Sequence, residues 1–171
     1  MNTEIKNYIS NFENIYKGEP WYGKPLMAIV SETDPKKVFQ KPAAASHSVF
    51  EITHHLFSWR DLLVKRLNGD TSSSIEVDSK EDWLPLPKTE PARHWDQLVK
   101  QLQQNQKELI RALSKFTDEA LDNNFAGSAF SLRTFLNGQI QHDIYHIGQI
   151  ALANKNNQIK NYDSKNMART N

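Results

Sequence analysis

Apolar residues return every three to four positions in four long stretches of the chain, the period of an amphipathic helix. In the first, about residues 2–16, Ile5, Tyr8, Phe12, Ile15 and Tyr16 fall on one side, and Gly18 closes the run. The second, residues 48–67, opens with Ser48 and Glu51 at capping-box spacing and stops at Asn68-Gly69-Asp70. The third begins at Thr89-Glu90-Pro91, where proline suits a first turn, and extends to about Phe116 behind Trp95, Leu98, Leu102, Leu109 and Leu113. The fourth spans about Ser131 to Asn154 and carries Leu132, Phe135, Leu136, Ile140, Ile147, Ile150 and Leu152. Only residues 74–78 alternate like a strand, and they are too few and too isolated for a sheet. The pattern predicts an all-α protein, a four-helix bundle with long crossovers.

The two long connections, residues 17–47 and 68–88, hold prolines and the aromatics Trp21, Tyr22 and Trp83. Loops of this length pack on a body more often than they hang free, and they often shape a site. These aromatics are expected either to cover the end of the bundle or to rim a pocket. The first connection has room for an extra helical turn around residues 26–31. The bundle is expected to occupy residues 1–154, with 155–171 a polar, mobile tail.

Composition narrows the chemistry. The 171 residues suit one domain with a sizeable core. There is no cysteine, which removes thiolate ligands, a cysteine nucleophile and an internal redox pair. A formal net charge of +1 without a basic run argues against nucleic acid as a partner. No apolar run approaches the roughly 18 residues of a membrane span, and the N-terminal residues lack an apolar signal core. A cytoplasmic protein without membrane partners is the expectation.

The candidate chemistry lies with histidines. His142 and His146, four apart on the fourth helix, point from one face about 40° apart, a spacing at which both can reach one metal ion. They share a stripe with Phe135, Gln139 and Gln149, so they face inward. Two core histidines bonded to each other or to backbone are the plainer alternative. On the second helix His55 lies near Ile52, Trp59, Leu62 and Leu63 on the wheel and is the inward histidine. His54 groups with Glu51, Ser58, Asp61 and Lys65 on a face expected to be solvated. His47 and His94 are expected to be exposed or capping. Three inward imidazoles with open positions for water form the pattern of a catalytic metal. Trp59 is expected to pack the core rather than line a pocket, and Glu51 to cap its helix rather than orient an imidazole. Gln149 could orient a metal-bound water, Asp143 is rotated too far to be a ligand, and Tyr145 faces away, suited to a dimer face. No inward carboxylate beside the histidines stands out as a general base.

The stretch Ser48 to Arg60 resembles the second helix of DinB-like proteins, and His142 to Gln149 resembles their fourth. Trp21 to Leu26, Leu67 to Asp70 and Glu81-Asp82-Trp83 match the variant of that family with long loops. The resemblance implies an up-down-down-up four-helix bundle with a divalent metal on His55, His142 and His146, the three the wheel selects. It also implies homodimers, and for some relatives transfer of a low-molecular-weight thiol to an electrophilic small-molecule substrate. Metal-dependent hydrolysis, or a non-catalytic dimeric binding module, are the alternatives. Zinc or nickel is expected ahead of iron or manganese, since all accept imidazole with water.

Overall fold

The computed structural model describes residues 2–42 and 47–167, with side chains as far as residue 157. It is helical, and no strand occurs among the described residues. Four long helices, α1 (Thr3–Lys17), α3 (Val49–Leu67), α4 (Pro91–Leu113) and α5 (Leu132–Met167), correspond to the four periodic stretches. A short α2 (Leu26–Ser31) fills the first connection where room for a turn was expected.

The ends follow local chemistry. At the start of α3 the Ser48 side chain accepts from the Glu51 backbone N–H at 3.2 Å, and Glu51 accepts from the Ser48 N–H at 2.7 Å, the expected capping box. At the end of α1 a side chain at Gly18 would meet Asn14 Cα at 2.7 Å, so only glycine allows this close exit. Helix α4 stops at Leu113, a few residues before the expected Phe116, and its last carbonyls are taken up by a tight turn through Lys115 and Phe116. Helix α5 outruns its expected end at Asn154 by more than three turns. No Gly or Pro follows Asn154, and both Asn154 and Asn157 are buried, so nothing in the chain stops the helix there. The polar tail expected from Lys155 therefore continues α5 to Met167, and its remainder lies outside the described residues.

Buried apolar residues form two clusters stacked along the helices. One joins Ile15 and Tyr16 of α1, Val49 to Leu56 of α3, Trp95 to Leu102 of α4, and Ile147 to Ala153 of α5. The other joins Ile5 to Phe12, Leu63 to Leu67, Leu109 to Leu113, and Leu132 to Leu136. Each helix thus spans both clusters, and α2 seals the first from one side.

A charged side chain sits between them. Arg60 is fully buried. Its Nε–H donates to Asp143 Oδ2 at 2.9 Å and its Nη1 to Gln106 Oε1 at 3.0 Å. The guanidinium also lies 5.9 and 5.8 Å from the Phe12 and Tyr16 ring centres. One arginine therefore ties α3 to α1, α4 and α5. A buried charge is tolerated only with such pairing. Asp143 takes a further bond from Gln139 at 2.8 Å, and burial pushes its carboxyl above the usual range while Arg60 pulls it down.

Candidate metal centre

His55 of α3 and His142 and His146 of α5 converge, as the wheel predicted. His55 and His146 are buried and His142 is nearly so. His55 Nε2 lies 3.0 Å from His142 Nε2 and 3.1 Å from His146 Nε2. Their opposite nitrogens fix the tautomers. His55 Nδ1 is 2.8 Å from a carboxylate oxygen of Asp82, which can only accept, so Nδ1 carries the proton. His146 Nδ1 donates to Gln149 Oε1 at 2.7 Å. Both Nε2 atoms then present bare lone pairs to each other at 3.1 Å. His142 can donate one N–H to His55, but its own Nδ1 is buried without a partner, and the 55–146 contact stays uncompensated. A cation between the three nitrogens resolves the repulsion. The separations are close to those of a shared ion: nitrogens about 2.1 Å from one ion are about 3.0 Å apart at right angles and about 3.4 Å apart at tetrahedral angles. Neutral imidazole is also favoured here. Burial, followed by the neighbouring histidines, pushes His142 down to about 3, and burial lowers His55 and His146 as well.

Asp82, which the sequence reading did not single out, is the main addition to the site. It lies in the second long connection and is buried. Its carboxylate accepts from Trp59 Nε1 at 2.8 Å and from the Asp78 backbone N–H at 3.0 Å and lies 2.8 Å from His55 Nδ1, which also meets the Asp82 backbone carbonyl O at 3.2 Å. An acidic side chain therefore does stand beside the histidines, but on the Nδ1 side, where it orients His55 rather than facing the Nε2 cluster. Gln149 orients the His146 ring through its Oε1.

Around the cluster lies a cavity of about 760 Å³ between α3, α5 and the second connection. Trp59 and Trp83 line it, so Trp59 does more than pack the core. Trp83 is sandwiched between His55, at 4.1 Å and 10° between planes, and His47, at 3.7 Å and 11°. His47 is thus a stacking partner rather than a cap. Trp83 rims the site, whereas Trp21 is fully exposed and takes no part in it. Tyr145 lines the same cavity, its ring 5.0 Å from that of His146, and so does not face away from the pair.

The face expected to be solvated around His54 is half covered. Glu51 is buried and holds Lys41 at 3.0 Å, and His54 packs against Phe50 and Phe57, where burial lowers its pKa. The first connection closes over this side, with the Phe50 N–H bonded to Val38 O at 2.9 Å. His54 takes no part in the cluster. His94 borders Phe39 and Phe50, away from the site.

Among the described residues His55, His142 and His146 are the only group of three or more such side chains placed to hold a metal ion. No helix among them is long and apolar enough to cross a membrane. No curated protein and no solved structure matches the chain significantly. A family model, described as the DinB superfamily, matches residues 24–150, about three quarters of the chain and all three histidines. The chain belongs to the DinB superfamily.

Proposed function

We propose that this protein is a divalent-metal enzyme, with His55, His142 and His146 as the ligands, that transfers a low-molecular-weight thiol to an electrophilic small molecule. The observation that carries the metal assignment is the facing of two unprotonated Nε2 atoms whose Nδ1 protons are committed to Asp82 and Gln149. When bound, a zinc- or nickel-like ion supplies Lewis acidity that favours the conjugate base of a thiol or water near neutral pH. The chain's own residues hold His55 and His146 in one tautomer and wall the site with Trp59 and Trp83, which limits water. Thiol transfer is favoured over hydrolysis because the buried carboxylate beside the histidines, Asp82, sits on the Nδ1 side and is taken up by Trp59 and the Asp78 N–H, away from where a general base for water would stand.

The family's up-down-down-up order has support in the two core clusters. The start of α3 meets the start of α4, the end of α5 and the end of α1. With α3 and α4 running one way and α1 and α5 the other, these clusters support that order. A cytoplasmic homodimer is part of the proposal, with exposed Leu152 on α5 as a candidate contact.

The test is conjugation of a small thiol to 1-chloro-2,4-dinitrobenzene, followed by absorbance of the thioether as the C–S bond forms and chloride leaves. Metal-loaded wild type should turn over, and His55→Ala and His142→Ala should fall to the uncatalysed rate. Equal turnover by both variants would remove the histidines from the reaction.

A further inference from the structure

Arg66 is the one cation on the cavity wall, and among the described residues it has no carboxylate within ion-pair distance. Its Nη1 donates to Ala126 O at 3.3 Å and its Nη2 to Ser73 O at 3.1 Å. Its guanidinium lies 5.7 Å from the centre of the Phe135 ring. Its Nε is buried without a partner. Two carbonyls and a ring face fix the group in place but leave its charge unneutralised, with spare donors of the five a guanidinium carries. Compare Arg60, fully buried, which has Asp143, whereas Arg66 is half-buried.

The cavity is polarised along its length. Asp78 and Asp82 stand together at the histidine end, joined by the Asp78 N–H. Arg66 comes eleven residues after His55 on α3, about 16 Å along the axis, and Phe135 comes seven before His142 on α5, about 10 Å. Between the two ends the wall is largely apolar, through Trp59, Leu62 and Leu63, and Gly138 contributes open space, since a side chain there would meet nothing within 4 Å.

We propose that this cavity binds an elongated small molecule with an apolar body, about 10 to 15 Å long, whose carboxylate pairs with Arg66 while its other end reaches the three histidines. The far-end assignment rests on the metal reading above; the Arg66 assignment does not. Fastening the loops at Ser73 and Ala126 explains two of the donors but not an uncompensated charge beside an apolar cavity.

The probes are 8-mercaptooctanoate and 8-mercaptooctan-1-ol, equal in length and thiol but differing in charge, with binding to the metal-loaded protein read from tryptophan fluorescence, as Trp59 and Trp83 line the cavity. The wild type should bind the carboxylate about 10-fold more tightly or better, the scale of a charge-assisted pair. Arg66→Gln should bring the two within about twofold while leaving the alcohol unchanged. Thr134→Glu, which adds a carboxylate to the Arg66 end without touching Arg66, should do the same. Equal affinities in the wild type, or a preference that survives both variants, would overturn the proposal. Octanoate and octan-1-ol on metal-free protein separate the two readings. If the histidines hold no metal, the thiols gain nothing over these probes, yet the Arg66-dependent preference persists.

Discussion

Replacing Asp82 with Asn removes a charge and one acceptor from the back of the site with almost no change in volume. The carboxylate accepts two hydrogen bonds, from Trp59 Nε1 at 2.8 Å and the Asp78 N–H at 3.0 Å, and lies 2.8 Å from His55 Nδ1, which also meets the Asp82 backbone carbonyl at 3.2 Å. An amide oxygen can serve one or two of these donors, but its NH₂ must then oppose an N–H. His55 gains a reason to turn over or change tautomer, which takes Nε2 out of the cluster or puts a proton on it. Loss of such a partner behind a metal-bound imidazole typically weakens metal binding 10- to 100-fold, about 1.4 to 2.7 kcal/mol. The assay is zinc competition against a chromogenic chelator, with circular dichroism confirming that the helices persist. Asp82→Asn with wild-type zinc affinity would show that the carboxylate does not set the His55 geometry and that the Asp82 backbone carbonyl alone holds the ring.

Three other outcomes follow from the same interactions. Asp143→Ala leaves Arg60 buried and unpaired and should cost about 3 to 5 kcal/mol in denaturant unfolding, whereas Arg60→Met with Asp143→Leu should cost far less than the sum of the single changes; additive losses would deny that the two act as a pair. In metal-free protein His54, His55, His142 and His146 are all depressed by burial, His142 to about 3. Above the unfolded value of about 6.5 both states are neutral there, and below it the unfolded chain takes protons that the fold refuses, so stability should fall from about pH 6.5 downward, less steeply in His142→Ala; a flat profile between pH 7 and 5 would contradict the burial of these rings. Chelation should leave the helices intact, because both core clusters are apolar and contain none of the three histidines, with the melting temperature lowered only by the loss of ligand linkage; unfolding on chelation would make the metal structural.

The parts of this molecule readable in sequence are those set by local period. Helix faces, the Ser48–Glu51 cap and the inward turn of His55, His142 and His146 all follow from residues a few positions apart. What escaped depends on long-range meetings. Asp82 reaches His55 from a loop with no period of its own. Arg60 and Asp143 are charged, so their positions read as polar until each is seen to satisfy the other across 83 residues of chain. The stripe of Glu51 and His54 read as solvated because a wheel carries no information about a covering loop, here the segment that ends at Val38. Tyr145 shows the same limit, since its exposed position on α5 faces a cavity formed with another helix.

The central claim is that three imidazoles hold one ion. Elemental analysis of protein purified without a metal-affinity column, for wild type, His55→Ala and His54→Ala, tests it directly. The account predicts close to one divalent metal per chain in wild type and in His54→Ala, and its loss in His55→Ala. Metal-free wild type that also refuses added zinc and nickel, or equal metal in His55→Ala, would contradict it.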